Sequence, residues 1–152
     1  MALQVRDIKG NVADIVFSTD DDQPVTGKRC RTGYTVAILY PFVENHLFGG
    51  IPVIRIESLS SFMVIPCSLE TLFTANDKMH ERSEVVKCSE STCDVKENLS
   101  ACSSCRIAKY CGREHQVKNW KTHKPKCHAY QALNWFIERD WTDWEDWWNF
   151  PK

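Results

Sequence analysis

The first 65 residues alternate short apolar runs with turn residues, a pattern typical of β-strands. Two runs, residues 3–7 and 12–18, flank Lys9-Gly10-Asn11, and this combination predicts a β-hairpin. Further strands are predicted at residues 34–40, 51–56 and 61–65. Five short strands with no long helix between them favour a small β-barrel, closed or partly closed.

In the second half of the chain, the sequence pattern is typical of helices. Residues 69–80 form the first predicted helix. Residues 114–124 are rich in helix formers and are followed by Pro125, which predicts a short helix that ends there. From residue 129 to 150 the chain contains no Gly or Pro, so a C-terminal helix, continuous or frayed, is predicted as well.

The C-terminal segment carries an apolar stripe at helical spacing, formed by Trp141, Trp144 and Trp148. Such a stripe needs a partner surface, which is either the rest of this chain or a groove in another protein. In the second case the tryptophans would be anchors, and four acidic residues would keep the segment in solution: Asp140, Asp143, Glu145 and Asp146. The pattern leaves both possibilities open.

At 152 residues, 43% hydrophobic and with a formal net charge of -1, the chain has the composition of an ordinary globular protein of one domain or two small ones. This length excludes a large multi-domain enzyme. No apolar run is long enough for a signal peptide or a membrane span, so we expect a cytoplasmic or nuclear protein. In these reducing compartments, clustered cysteines bind metal more often than they form disulfides.

Eight cysteines and six tryptophans are unusual for this length. Six of the cysteines and three of the five histidines fall within residues 81–128, a zone with four more basic than acidic residues. Its pattern is Cys88-x4-Cys93-x8-Cys102-x2-Cys105-x5-Cys111-x3-His115-x7-His123-x3-Cys127. These eight ligands form four pairs and fill two four-coordinate sites, which indicates two structural Zn²⁺ ions.

Spacing alone leaves the pairing open, because consecutive pairs or alternate pairs could share an ion. A disulfide framework and a redox Cys102-x2-Cys105 motif are the less favoured alternatives for these cysteines. Cys30 and Cys67 lie outside the pattern and are interpreted as small core residues. The histidines outside it are interpreted as surface residues: His46, His80 and His128.

The cysteine-rich segment resembles the MYND zinc finger. The matching residues are Tyr110-Cys111, His115-Gln116, Trp120, His123-Lys124 and Cys127. The resemblance implies an interleaved arrangement, with Cys88, Cys93, Cys111 and His115 on the first ion, and with Cys102, Cys105, His123 and Cys127 on the second. Two features depart from the family pattern: the first cysteine pair has four intervening residues instead of two, and His115 stands where a cysteine is usual.

The resemblance also implies a function, since MYND fingers are protein-binding modules that recognise short proline-containing peptides. The fingers themselves occur in transcription regulators and in methyltransferases. The residues expected to face such a peptide are Gln116 and Trp120, with Lys118 and Lys121 as a basic rim, although Trp120 is equally a candidate for the finger core. The remaining chain is too short for a methyltransferase domain. No nucleophile triad, phosphate-binding loop or paired acids stand out, so we expect no enzymatic activity.

The N-terminal zone resembles an OB-fold in the order Gly33-Tyr34-Thr35-Val36-Ala37-Ile38, Phe48-Gly49-Gly50 and Val53-Ile54-Arg55-Ile56. OB-folds bind single-stranded nucleic acid through basic groups and stacked rings, which is the alternative function. Its candidate residues are Lys28, Arg29, Arg31, Tyr34, Tyr40, Phe42 and Phe48. The acidic balance of this zone argues instead that the rings build the barrel core and its rim.

The predicted organisation is therefore an α+β chain with three parts. Residues 1–80 form a five-stranded OB-like barrel, residues 88–127 form a two-zinc MYND finger with short helices, and residues 129–152 form a Trp-rich acidic tail.

Overall fold

The computed structural model describes residues 2–18, 30–44, 50–80, 86–139 and 142. The chain divides into two compact units, of which the first comprises Met1–Val64 with Thr142–Lys152 and the second comprises Ile65–Trp141. The helix over residues 69–80, which the sequence grouped with the N-terminal domain, falls in the second unit together with the zinc-finger segment.

The described residues of the first unit contain six short strands: β1 (Ala2–Arg6), β2 (Val12–Phe17), β3 (Thr35–Ile38), β4 (Phe42–Glu44), β5 (Val53–Ile56) and β6 (Phe62–Ile65), the last of which reaches the unit boundary. Four of them form a sheet in the order β1-β2-β5-β4, in which β2 and β5 are parallel and the other pairs antiparallel. A second sheet pairs β3 with β6. A short 3₁₀ turn, Leu59–Ser61, precedes β6.

The predicted hairpin between β1 and β2 is confirmed, and its turn is held by one side chain. The carboxylate of Asp7 accepts hydrogen bonds from the backbone N–H groups of Lys9 and Asn11, each at 2.8 Å. Gly10 has a positive φ of 87°, which glycine adopts without steric cost. The turn therefore fixes the antiparallel register that pairs Leu3 with Ile15.

The core of the first unit lies between its two sheets. Ile15 on β2 and Ile56 on β5 are 0% and 1% exposed. Phe17 on β2 meets Phe62 on β6 edge to face, with ring centroids 5.1 Å apart. Burial of these apolar side chains stabilises the unit.

The sequence predicts a five-stranded β-barrel, closed or partly closed, and the structure shows no closed barrel among the described residues. The described strands form a four-stranded sheet and a separate strand pair. The apolar pattern identifies strands but contains no signal for closure, which depends on pairing between distant strands. The predicted strand at residues 34–40 ends at Ile38, because Tyr40 adopts a positive φ of 52° and turns the chain. The three-residue strand β4 that follows was missed.

The second unit contains α1 (Leu69–His80), the small hairpin β7 (Ser100–Ala101) and β8 (Lys109–Tyr110), and α2 (Arg113–Ile137). The predicted α1 is confirmed with the same bounds. The hydroxyl of Ser68 accepts a hydrogen bond from the N–H of Thr71, so the first turn of α1 is capped. Helix α1 packs against α2.

Helix α2 continues through Pro125, so the predicted short helix that ends at residue 124 is wrong. A proline inside a helix removes one hydrogen bond and costs about 3 kcal/mol. Here Pro125 lies between His123 and Cys127, which must be one helical turn apart to reach the same ion. The tertiary requirement for these two ligands therefore outweighs the local preference of the proline.

Of the predicted C-terminal helix, residues 129–137 are confirmed as the continuation of α2. Helix α2 ends at Ile137, where the N–H of Glu138 bonds to the carbonyl of Asn134. The stripe Trp141, Trp144 and Trp148 lies outside the described residues, as do the acidic residues beside it. No helix in the described ranges is both long and apolar enough to cross a lipid bilayer.

Candidate metal centre

The structure brings the eight cysteine and histidine residues of the finger together in two groups of four. The first cluster contains one ligand atom from each of Cys88, Cys93, Cys111 and His115. The second cluster contains one from each of Cys102, Cys105, His123 and Cys127. Within each cluster, all of these atoms lie within 4.8 Å of one another. Both sets are those implied by the interleaved arrangement.

The separations between ligand atoms fit a tetrahedral ion. Zinc–sulfur bonds of ~2.3 Å at tetrahedral angles set two sulfurs ~3.8 Å apart. The Sγ atoms of Cys93 and Cys111 are 3.8 Å apart in the first cluster. In the second cluster, Sγ of Cys102 and Sγ of Cys127 are 4.0 Å apart. The donor set of three thiolates and one imidazole in each cluster is one of the sets that bind structural zinc.

The two histidines present different ring nitrogens. Nδ1 of His115 lies 3.1 Å from Sγ of Cys111 and 3.6 Å from Sγ of Cys88. In contrast, Nε2 of His123 lies 3.7 Å from Sγ of Cys105. Both histidines project from α2, so this one helix contributes ligands to both clusters and joins them.

The elements around the clusters are short loops that aim backbone N–H groups at sulfur. The N–H group of Glu90, in the loop that carries Cys88 and Cys93, points to Sγ of Cys88, and so does the N–H group of Cys111, which follows β8. In the loop after Cys102, the N–H groups of Ser104 and Cys105 point to its sulfur. Hydrogen bonds of this kind stabilise the thiolate form, which is the form that binds metal.

Burial alone works against ionisation of these thiols. Burial, followed by the charge of Cys105, raises the pKa of Cys127 to about 12. Burial and the neighbouring sulfurs of Cys93 and Cys88 raise the pKa of Cys111 to about 11. Several adjacent thiolates are therefore stable only with a cation between them, and metal binding must release protons.

The imidazole of the second cluster is kept neutral. Burial, and next the charge of Lys126, lower the pKa of His123. A neutral imidazole has the free lone pair that zinc needs. Its ring is held between two aromatic rings, Tyr110 at 5.9 Å and Trp120 at 5.8 Å between centroids.

Outer groups fix the ligands of the second cluster. The side-chain amide of Gln131 donates to the carbonyl of Cys127 at 3.3 Å and to its sulfur at 3.4 Å. The amide of Asn134 donates to the carbonyl of Cys105 at 3.2 Å. These partners follow Cys127 by one and two helical turns, so α2 must stay helical beyond Pro125 for them to reach the cluster.

The four-residue gap between Cys88 and Cys93, longer than the family pattern, is organised by Glu90. This carboxylate is buried and accepts hydrogen bonds from both the N–H and the hydroxyl of Thr92. Lys118 on α2 reaches the same loop, with Nζ 3.4 Å from Glu90 Oε1 and 3.2 Å from Thr92 Oγ1. The Thr92 hydroxyl first, and also its N–H and the charge of Lys118, lower the pKa of Glu90 to about 2 against the effect of burial.

The Glu90–Lys118 ion pair joins the loop that carries Cys88 and Cys93 to the helix that carries His115. We expect Glu90→Gln to weaken zinc binding at the first cluster by about 10- to 100-fold, as for other outer-shell partners of metal ligands. The second cluster should keep its affinity. The measurement is chelator competition followed by native mass spectrometry, with NMR to show which cluster loses its ion first.

The matched control is Glu97→Gln, which removes the same charge from an exposed residue of the same segment. Equal zinc affinity in the wild-type chain and the Glu90→Gln variant would show that the ion pair does not position the first cluster.

The residues predicted to face a peptide lie on α2 but not on one face. Trp120 is 42% exposed, Gln116 is half-buried one turn before it, and Lys121 is exposed beside it. Lys118 lies across the helix and is engaged with Glu90. Sequence reasoning missed Val117, which is 65% exposed one turn before both Trp120 and Lys121. An apolar residue three and four positions before Trp120 and Lys121 could have indicated that Val117 lies on the same side of the helix.

The cysteines and histidines outside the ligand pattern belong to neither cluster. Cys67 is buried, as predicted, while Cys30 is only half-buried. His80 is exposed, His128 is half-buried, and His46 lies outside the described residues.

The candidate nucleic-acid residues are only partly described, since Lys28, Arg29 and Phe48 lie outside the described ranges. Arg31, Tyr34, Tyr40 and Phe42 are exposed. These three rings therefore do not build the core, which is one part of the expectation that the rings form the core and its rim.

Comparison with known proteins agrees with this geometry. Residues 86–127 match the family model of the MYND finger. This segment is thus a zinc-binding protein-interaction module, and its two cysteine and histidine clusters could hold two zinc ions. No solved structure matches the chain significantly.

Curated relatives share the finger segment only. Human Egl nine homolog 1 is 51% identical over 35 residues, which cover 23% of this chain and 8% of that protein. Histone-lysine N-methyltransferase ASHR1 of Arabidopsis thaliana is 42% identical over 48 residues, or 30% of this chain and 10% of that protein. Human histone-lysine N-methyltransferase SMYD3 is 53% identical over 32 residues, or 21% and 8%. The matched segments thus span a tenth or less of these relatives.

Proposed function

We propose that this chain is a zinc-dependent docking module that binds a short proline-containing peptide on the exposed face of α2 and has no catalytic activity of its own. The observation that carries the proposal is the position of Trp120, whose indole is 42% exposed and yet held against the ring of His123. A large ring that is both accessible and rigid is the usual anchor of a binding surface.

The docking face consists of Gln116, Val117, Trp120 and Lys121. Residues three and four apart lie on the same side of a helix, so these four side chains form one continuous patch. Val117 adds apolar area next to the indole, and Gln116 can both donate and accept hydrogen bonds from a peptide backbone. We define this set of residues as the α2 docking face.

A proline-containing ligand suits the α2 docking face for two reasons. Proline-rich segments adopt an extended helix without internal hydrogen bonds, so they lose little entropy on binding and keep their carbonyls free. Their flat rings pack on aromatic side chains such as Trp120, and Gln116 lies one turn away to bond an exposed peptide carbonyl.

Lys118 does not belong to the α2 docking face in this proposal. It lies two residues from both Gln116 and Trp120, which places it on the far side of the helix from these two residues, and it borders the face only at Lys121, three residues away. Its ammonium group bonds to Glu90 and Thr92. We therefore assign Lys118 to the first metal cluster and leave Lys121 as the basic edge of the docking face.

Zinc enters this function by fixing the docking face. His123 is a ligand candidate of the second cluster, and its ring contacts Trp120. When an ion binds His123, the imidazole ring is fixed in position and supports the buried side of the Trp120 indole. Peptide binding should accordingly require the zinc-loaded chain.

The names of the relatives support a modular role in regulation. The same finger segment occurs in two histone-lysine N-methyltransferases and in an Egl nine homolog, so it accompanies proteins of different kinds. An interaction module used in different proteins fits a regulatory, transcription-associated adaptor. We extend this context to the present chain as part of the proposal.

Selection from a random peptide display library on the zinc-loaded chain tests the proposal. We expect a proline-containing consensus. We expect Trp120→Ala to reduce the affinity for the selected peptides by about 30-fold or more, as for a central aromatic anchor. Lys121→Glu alters the edge of the same face while it leaves the His123 contact in place, so it should weaken binding without affecting the fold.

The control is Ile137→Ala, which removes an equally accessible apolar side chain at the end of the same helix and should bind as the wild type does. Zinc stoichiometry and melting temperature establish that each variant is folded. Selected peptides that lack proline, or that bind the Trp120→Ala variant as tightly as the wild type, would refute the proposed function.

A further inference from the structure

A second recognition site lies within the finger unit, in a cleft of about 110 Å³ between α1, α2 and the zinc loops. Lys78 of α1 lines one side, and Lys126 of α2 lines the other. Ser89 from the first loop completes the rim. The α2 docking face contributes no residue to this cleft, so the proposed peptide site does not account for it.

The cleft is positively charged. No acidic residue lines it within the described part of the chain, and neither lysine forms an ion pair with a described residue. Two ammonium groups at one small cleft repel each other unless an anionic group lies between them. An anion placed between them would remove that repulsion.

The neutral groups of the cleft are also oriented as donors. The hydroxyl oxygen of Ser89 accepts the N–H of Lys109 at 3.2 Å, which leaves its O–H to donate. The side-chain oxygen of Asn119 accepts the Tyr110 hydroxyl at 3.0 Å, which leaves its NH₂ group to donate. With these acceptors occupied from within, the cleft presents mainly N–H and O–H groups to a ligand.

Tyr130 adds a further donor to the cleft. This residue also lines the cleft and is only 4% exposed, and its hydroxyl makes no hydrogen bond with any described residue. Solvent reaches the hydroxyl oxygen, so its O–H is free to donate to a ligand in the cleft.

We propose that this cleft binds a phosphate monoester. Three terminal oxygens and a charge of about -1.5 to -2 at pH 7 match two ammonium groups and several neutral donors better than the two oxygens of a carboxylate do. The volume accommodates a group of several heavy atoms. The phosphate monoester is carried by a small metabolite or by a phosphorylated side chain, and both present the same chemistry to the cleft.

NMR titration of the zinc-loaded full chain tests the proposal with inorganic phosphate, O-phosphoserine, a short phosphoserine peptide and acetate. We expect the first three to shift the backbone amides of Ser89, Asn119 and Thr122, the last of which also lines the cleft. The Lys78→Gln/Lys126→Gln variant should bind them about tenfold more weakly or worse, because charge-assisted hydrogen bonds are lost. A phosphopeptide that binds more tightly than phosphoserine identifies a protein source, and equal binding identifies a small molecule.

The control is Lys96→Gln/Lys124→Gln, which removes the same charge from exposed lysines that do not line the cleft. Equal losses in the two variants would reduce the effect to general electrostatic attraction and overturn the site. Acetate binding as strong as phosphate binding would overturn the assignment to a phosphate monoester. If no ligand shifts the cleft amides and the Lys78→Gln/Lys126→Gln variant loses only zinc affinity, the lysines merely balance the charge of the second cluster.

Discussion

Complete removal of zinc will unfold the segment from residue 86 to 137 and abolish most of the helical circular dichroism of the chain. Structural zinc sites contribute about 10–16 kcal/mol to the folding of small fingers at neutral pH, which exceeds the stability of an ordinary domain. The helical signal should fall on exhaustive chelation and return when zinc is added back.

The reason for so large an effect is the composition of the core of the second unit. Among its described residues, the buried side chains other than the ligand cysteines and His123 are Cys67, Ala75, Ala108, Tyr110, Ala129, Tyr130 and Ala132, together with Ile65 and the carboxylate of Glu90. Alanines bury little apolar surface, so hydrophobic burial alone is too small to hold α1 and α2 together. The two clusters replace the missing core.

The first unit provides the internal control for this experiment. Its core residues Ile15 and Ile56 include no ligand candidate, and its sheets are held by apolar contacts such as Phe17 with Phe62. NMR resonances of these residues should stay dispersed while those of α2 collapse. Unchanged circular dichroism after exhaustive chelation would contradict the prediction, and so would loss of both units together.

The ligand set was predictable from sequence because metal binding imposes local spacing. Two donors on one loop or one helical turn are typically separated by two to four intervening residues, and the pattern from Cys88 to Cys127 repeats that spacing four times. Spacing does not say which pairs share an ion. That information came from the resemblance to a family, and the structure brings the same two sets together.

Pro125 and Glu90 show where prediction from the sequence fails. Local propensity ends a helix before Pro125, whereas the ligands on either side of it require a continuous helix. Glu90 is a surface residue by type, and its burial depends on Lys118, which is 28 positions away in the chain. Both features depend on contacts that a local pattern does not contain, as does the open arrangement of the N-terminal strands.

The two clusters should contribute unequally to stability, because the second is more deeply buried. All four of its ligands are buried, with Cys105 at 0% exposure, whereas Cys111 and His115 of the first cluster are half-buried. The carbonyl of Cys105 also receives the amide of Asn134 in the C-terminal half of α2. The second cluster therefore holds both halves of α2 in place.

We accordingly expect Cys105→Ser and Cys111→Ser to differ sharply. Cys105→Ser should reduce the helical signal to nearly that of the zinc-free chain, because loss of the second ion leaves His123 and Cys127 buried without a partner. Cys111→Ser should keep one ion and most of the signal, with a lower melting temperature. Native mass spectrometry gives the number of ions, and thermal unfolding followed by circular dichroism gives the stability.

Cys67→Ser is the matched control, since Cys67 is a buried cysteine of the same unit that belongs to neither cluster. It should cost no more than an ordinary buried polar substitution, about 1–3 kcal/mol, and should leave both ions bound. If Cys67→Ser were as damaging as Cys105→Ser, the loss would reflect cysteine burial and not metal. If Cys111→Ser were the more damaging cluster variant, the first cluster and its Glu90–Lys118 ion pair would contribute more to the stability of the fold than the second cluster does. The peptide surface at Trp120 would then depend on the second ion less than the contact between Trp120 and His123 indicates.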